Sequence, residues 1–259
     1  RRALHFSAQG DFVKAVAVIP ARYASQRFPG KPLARIAGKP MIQHVYERAS
    51  RVREFARVLV ATDDARIADC VRGFGGECVM TSPVLASGTD RMFAALRGMS
   101  YDWAFNVQGD EPLMDPAVLR ALLRRAARAQ TPCIITAADT LLRPQDFNNP
   151  NIVKVAISGA GQALYFSRAP IPYLGRVGRG EPHAEPLRHI GLYLFHKKAL
   201  AAFVRTPPSL LERTEKLEQL RAYEAGIPIE VVRTRYASIN VDVPADIRRV
   251  EAALKRKGA

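Results

Sequence analysis

The stretch Val16-Ala17-Val18-Ile19-Pro20-Ala21-Arg22-Tyr23-Ala24-Ser25-Gln26-Arg27-Phe28-Pro29-Gly30-Lys31-Pro32-Leu33 runs from an apolar segment into a loop holding three cations, a Ser and a Gly. The apolar part shows no alternation, as in a strand covered on both faces by helices, and the Pro and Gly beyond it stop regular structure. Arg22, Arg27 and Lys31 bring up to three positive charges to one ligand, and hydrogen bonds to charged groups are worth roughly 1.5–3 kcal/mol each. A triphosphate answers that description. Neither Gly-x-x-x-x-Gly-Lys-[Ser/Thr] nor Gly-x-Gly-x-x-Gly occurs here, so side chains more than a backbone nest must hold the phosphates. A plain Pro29-Gly30 turn with surface cations is the bland alternative. The spacing Arg-x-x-Ser-x-Arg-x-x-x-Lys after a buried strand argues against it.

Outward from this stretch, strand-like and helix-like segments alternate, the pattern of βα units wound into a largely parallel sheet. Strands are expected at Ala15–Ile19, Arg57–Ala61, Glu77–Met80 and Trp103–Val107, and helices at Pro40–Ser50 and Ala65–Phe74, the second closed by Gly75 and Gly76. Residues 133–196 read as a β-rich insertion, with strands Ile152–Ile157, Gln162–Phe166 and His189–Phe195. Within it, 175–182 is too Gly-rich for regular structure and is expected to be mobile. From Ser209 the chain reads as helical, with Ser209 and Glu212 spaced as a capping box and Leu217, Leu220 and Tyr223 as an apolar stripe. A strand at Ile229–Arg233 precedes Ile239–Pro244 and a C-terminal helix. The expectation is one α/β domain over 15–259, a mostly parallel sheet flanked by helices, with Arg1–Lys14 a frayed tail or extension.

The 259 residues carry 48% hydrophobic and 24% charged side chains, ordinary values for a folded chain, with no apolar run near the roughly 20 residues of a membrane span. Membrane insertion is not expected. The basic, polar start has no apolar core of a secretory signal. Cys70, Cys78 and Cys133 are odd in number and form no Cys-x-x-Cys pair, which fits free thiols in a reducing cytoplasm. Lys and Arg number 39 against 24 Asp and Glu, a net charge of +15. Nucleic acid is still not expected as a partner, because many cations decorate helix faces, as in 119–128, and aromatic residues are not interleaved with basic ones.

Asp110 follows a buried strand inside Gln108-Gly109-Asp110-Glu111-Pro112, where a carboxylate can bind Mg²⁺ while nucleotide phosphates supply further oxygens. Asp115, in the same stretch, is explained by capping the helix that begins at Pro116. Asp242 could be a helix-start residue before Pro244, with Asp246 in the first turn. Paired with Asp110 it offers the second carboxylate of a two-metal transfer. Ser87-Gly88-Thr89-Asp90-Arg91 opens a helix with a capping box, and that N-terminus also suits polar ligand groups. No two histidines show metal-ligand spacing.

The loop 20–33 and Val107–Pro112, joined by Ser87–Arg91, Asn149–Lys154, Tyr165–Pro172, Arg188–Tyr193 and Glu215–Arg221, closely resemble the 3-deoxy-manno-octulosonate cytidylyltransferases, or CMP-Kdo synthetases. Phe28 departs from the Leu usual in the family. The resemblance implies a Rossmann-like fold of the nucleotide-diphospho-sugar transferase type, with the insertion serving dimerisation and sugar binding. It implies CMP transfer from CTP to the anomeric hydroxyl of Kdo, releasing pyrophosphate for lipopolysaccharide assembly, in a Mg²⁺-dependent cytoplasmic homodimer. Arg22, Lys31 and Asp110 would be catalytic. Pro20, Ala21, Arg22, Ser25, Arg27, Lys31, Ser87, Gly88, Gln108 and Asp110 would bind CTP. Gln108, Arg168, His189, Tyr193, Glu218 and Gln219 would bind Kdo, Arg168 taking its carboxylate in two-point geometry. Asp110 and Asp242 would hold the metal. A cytidylyltransferase for another sugar acid is the nearest competing reading.

Overall fold

The computed structural model describes residues 13–24, 27–140, 144–174, 184–236 and 239–257. The first half comprises β1 (Ala15–Ala21), β2 (Arg35–Ile36), β3 (Lys39–Pro40), α1 (Met41–Ala49), β4 (Phe55–Thr62), α2 (Ala65–Gly73), β5 (Glu77–Met80), α3 (Gly88–Ala95), β6 (Trp103–Asn106) and α4 (Pro116–Ala126). The second half adds β7 (Ile134–Asp139), α5 (Pro144–Phe147), β8 (Lys154–Ile157), β9 (Ala163–Ser167), β10 (Leu187–His196), α6 (Lys197–Arg205), α7 (Leu210–Glu215), α8 (Gln219–Glu224), β11 (Ile229–Thr234) and α9 (Asp246–Lys257).

The main sheet runs β11-β7-β10-β6-β1-β4-β5, with β8 and β9 branching from β10. β1 lies between β4 and β6, parallel to both. Its residues Ala15 to Ile19 are all within 1% of full burial, and successive side chains enter opposite cores. Ala15, Ala17 and Ile19 meet Ile42 and Val45 of α1, Ile67 of α2 and Leu122 of α4. Val16 and Val18 meet Met92 of α3, Leu200 and Phe203 of α6 and Leu220 of α8. The missing alternation in the sequence therefore has its physical cause, apolar cover on both faces. Helix starts follow local chemistry. Ser87 with Asp90 and Ser209 with Glu212 form reciprocal capping boxes, and Asp115 caps α4 ahead of Pro116.

Two expectations change. The bounds 133–196 for the insertion are too wide, because β7 parallels β11 and β10 runs antiparallel between β6 and β7, both inside the main sheet. Only the β8–β9 hairpin branches off, and the short α5 lies in this region too. An apolar run does not say which strands it will join. The helix from Ser209 is two helices, broken at Lys216 in the left-handed region, φ 57°. That break buries Leu217 and Leu220 but leaves Tyr223 exposed. The Gly-rich 175–182 and the tail up to residue 12 lie outside the described residues.

Phe105 on β6 is fully buried and packs edge-on against Phe55, ring centroids 5.8 Å apart. Phe105→Ala is expected to cost about 3–5 kcal/mol, read as a lowered midpoint in urea unfolding.

Candidate active site

The cation loop is shaped by its own backbone. Gly30 sits at φ 71°, a conformation that favours glycine, and its N–H donates to the Tyr23 carbonyl at 2.9 Å. A Cβ there would come within 3.1 Å of the Tyr23 ring. The turn aims Lys31, whose ammonium donates to Asp110 Oδ2 at 3.0 Å and to the Val241 carbonyl at 2.9 Å. Arg22 donates to the Leu85 carbonyl, tying the end of β1 to the segment leading into α3. Arg27 pairs with Asp242 at 3.0 Å in an exposed setting, where ion pairs contribute little. Ser25 lies outside the described residues.

Pro20 and Ala21 end β1. A Cβ on Gly88 would touch the Pro20 ring at 3.6 Å, and one on Gly109 would press on the Pro20 carbonyl at 3.1 Å. The first turn of α3 and the turn after β6 are thus packed against one strand end. The Ser87 hydroxyl donates to Asp90 Oδ2 at 2.9 Å. Asp110 and Asp242 are far apart in sequence, yet Val241 N–H donates to the Asp110 carbonyl at 3.0 Å. Val241 is held in turn by a small core of Ile36, Met41, Leu113 and Val250 of α9. Asp246 accepts from the N–H groups of Asp242 and Val243, at 2.9 and 3.1 Å.

These carboxylates open onto a cleft of about 570 Å³ lined by Gln108, Asp110 and Asp242 on one side and His189, Tyr193, Glu218 and Gln219 on the other. It lies beyond the carboxyl end of β6, where open α/β sheets bind ligands, while Pro20, Ala21, Arg22, Arg27, Lys31, Ser87 and Gly88 stand outside its lining. Thr89 donates to Glu218 Oε2 at 2.9 Å, Ser87 stands within reach of the same carboxyl, and burial raises that carboxyl's pKa. His189 stacks edge-on against Phe166, centroids 4.9 Å apart, and burial pushes its pKa down to about 3. Burial also raises the Tyr193 phenol. Asn151, Arg188 and Arg249 line the cleft as well, and the sequence assigned them no role. Arg249 carries no local motif. Arg188 and Asn151 stood inside stretches that carried the family resemblance.

Arg168 is placed differently from its expected role. It stands outside the cleft lining, its guanidinium donating to the carbonyls of Glu215 at 2.8 Å, Pro150 at 2.9 Å and Lys216 at 3.4 Å. Contact with a sugar carboxylate would require it to release these bonds. Its own carbonyl accepts from Lys154 at 2.6 Å. The fully buried Lys154 ammonium also reaches the carbonyls of Asn149 and Ile152, at 3.0 and 2.6 Å. Together they brace the wall that carries Asn151 on one side and Glu218 on the other.

As a candidate metal site, Asp110 and Asp242 offer two hard oxygen donors. Among the described residues no group of three or more His, Cys, Asp or Glu could form a closed cage. That donor set fits Mg²⁺, which one or two carboxylates hold alongside substrate phosphates.

Cations and paired carboxylates at the strand ends of a mostly parallel sheet define a nucleotidyltransferase, and a family model described as cytidylyltransferase matches residues 16–232. The chain is 51% identical over 246 residues to the 3-deoxy-manno-octulosonate cytidylyltransferase of Syntrophotalea carbinolica, covering 92% of this chain and 98% of that protein. The protein of the same name from Geobacter sulfurreducens is 46% identical, with 92% and 98% covered. The chain belongs to the 3-deoxy-manno-octulosonate cytidylyltransferase family. Among solved structures, CMP:2-keto-3-deoxy-manno-octonic acid synthetase complexed with CTP superposes with a TM-score of 0.88 at 41% identity, covering 94% of this chain and 99% of that one. A 4-diphosphocytidyl-2C-methyl-D-erythritol synthase from Anaerococcus prevotii, 15% identical with a TM-score of 0.62 over 95% and 100% of the chains, shares the fold.

His189 stays neutral when folded and takes a proton near pH 6.5 when unfolded, so the unfolded chain binds more protons below that pH. Its contribution is complete above pH 6.5 and is lost as pH falls toward 3. Between pH 7.5 and 5 the loss is expected to be on the order of 2 kcal/mol. Chemical denaturation at the two pH values checks this, and His189→Gln is expected to lose that part of the dependence.

Proposed function

We propose that this chain transfers CMP from CTP to the anomeric hydroxyl of 3-deoxy-D-manno-octulosonate, releasing pyrophosphate. The observation that carries the reading is the single cleft joining Asp110 and Asp242 to His189, Tyr193, Glu218 and Gln219, a metal-nucleotide end continuous with a polyol end. Lys31 and Arg22 neutralise the triphosphate, with Arg27 and Ser25 assisting. Pro20, Ala21, Ser87, Gly88 and Gln108 cradle the nucleoside. The sugar hydroxyl attacks the α-phosphorus in line with departing pyrophosphate, and Lys31 and Arg22 stabilise charge on the phosphoryl oxygens. Mg²⁺, held by Asp110 and Asp242, would add a Lewis acid for the same charge. Gln108, His189, Tyr193, Glu218 and Gln219 bond the sugar's polar groups.

The product would serve lipopolysaccharide synthesis in the cytoplasm. The CTP requirement and three unpaired cysteines, Cys133 pushed up to about 12 by burial, support that compartment. No helix among the described residues is long and apolar enough to cross a membrane. The proposed homodimer finds support in exposed Leu164 on β9 and exposed Tyr173 and Leu174 beyond it, apolar surface that a second copy would cover.

A pyrophosphate-release assay crossing four nucleoside triphosphates with Kdo and a sialic acid is expected to give turnover for CTP with Kdo alone. Turnover with the sialic acid instead would sink the sugar assignment. Asp110→Asn is expected to lower turnover by at least about a hundredfold, with an unchanged circular dichroism spectrum. Sedimentation at micromolar concentration is expected to show a dimer.

A further inference from the structure

β10 carries a bulge that the sequence does not announce. Ile190 stands opposite Ala137 and Tyr193 opposite Thr136, so three steps along β10 match one along β7. The two extra residues, Gly191 and Leu192, lift the backbone out of the ladder. The carbonyls of Ile190 and Leu192 both turn to one side chain, the buried Thr136 hydroxyl, at 3.2 and 2.8 Å. The same hydroxyl lies 2.9 Å from His189 Nε2.

A threonine hydroxyl has one proton and two lone pairs, and a carbonyl can only accept. At 2.8 Å from the Leu192 carbonyl the hydroxyl proton must lie on that side. Thr136 then has only a lone pair for His189, and Nε2 must carry the ring's proton. We propose that Thr136 is a positioning residue that fixes His189 as the Nε2–H tautomer, leaving Nδ1 as a hydrogen-bond acceptor for a sugar hydroxyl. The sugar role rests on the function proposed above; the tautomer does not.

One further observation fits. His189 is neutral at working pH, so it has a tautomer to choose. Nδ1 of His189 thus stands as an acceptor among the donors Tyr193, Gln219, Asn151 and Arg188 that line the same cleft. An acceptor at Nδ1 favours a ligand with a hydroxyl facing it over analogues with that hydroxyl removed or masked as an ether.

The test uses ¹⁵N-histidine-labelled full-length enzyme, with the His189 signals assigned by their loss in His189→Gln. In the wild type, and in Thr136→Ser, a pyridine-type Nδ1 and a pyrrole-type Nε2 are expected. In Thr136→Val a mixture of tautomers is expected, with the Kdo KM raised roughly tenfold and the CTP KM within about twofold. A protonated Nδ1 in the wild type overturns the proposal, whichever sugar acid the enzyme accepts. So does a Thr136→Val enzyme that keeps either the wild-type ring signals or the wild-type Kdo KM. If Thr136→Val does not fold, the wild-type spectrum and the Thr136→Ser pair still decide. Failure of CMP-Kdo synthesis in the wild type would count against the function alone, leaving the ring signals to judge the tautomer.

Discussion

The bond from Val241 N–H to the Asp110 carbonyl, reinforced by Lys31 reaching both Asp110 Oδ2 and the Val241 carbonyl, holds the site together. It joins three stretches that no local propensity would bring into contact: the loop after β1, the turn after β6 and the approach to α9. Lys31 and Asp110 are only about a fifth to a quarter exposed, so their pairing is screened less than a surface bridge. Without it, two carboxylates and three cations would sit on separate loops. The small core under α9 explains why the pairing holds its place, since Val250 fixes Val241 from beneath.

Several of the chain's cations are spent in local pairings of this kind. Arg91, fully buried, bonds Asp63 at 2.9 Å and Thr81 at 2.5 Å, linking α3 to the ends of β4 and β5. Arg221 pairs with Glu212 across the break at Lys216. Arg188 pairs with the fully buried Asp139. The net charge of +15 is what remains beyond such pairs, and the loop after β1 stands out because Arg22, Arg27 and Lys31 fall within one short segment.

What could be read in advance was what local chemistry determines. Val16–Ile19 announces a strand buried on both faces, Ser87 with Asp90 announces a helix start, and Asp110 after Val107 has no structural duty that its neighbours explain. Asp242 was expected at a strand end, whereas it lies in the irregular approach to α9, well beyond the end of β11. What escaped was long-range. Ile134–Asp139 and Leu187–His196 look like any apolar run, and nothing local says that they join the main sheet. The left-handed Lys216 carries no glycine to mark it. Arg168 was assigned to a carboxylate because guanidinium groups suit carboxylates, whereas its neighbours in space are carbonyls from two distant segments. Thr136 has no motif at all, and its importance exists only once β10 bulges over it.

The reversed direction of β10 also sets an order of assembly. β1, β4, β5 and β6 precede it in the chain and can form a parallel sheet by themselves. In that partial structure β6 is an edge, and the backbone of Trp103, Ala104, Phe105 and Asn106, paired with β10 in the finished molecule, would present a ladder of unpaired groups. That edge is sealed only when residues 187–196 leave the ribosome and insert between β6 and β7. The strand that carries His189 and Tyr193 into the cleft is therefore also the one that covers the exposed edge of β6.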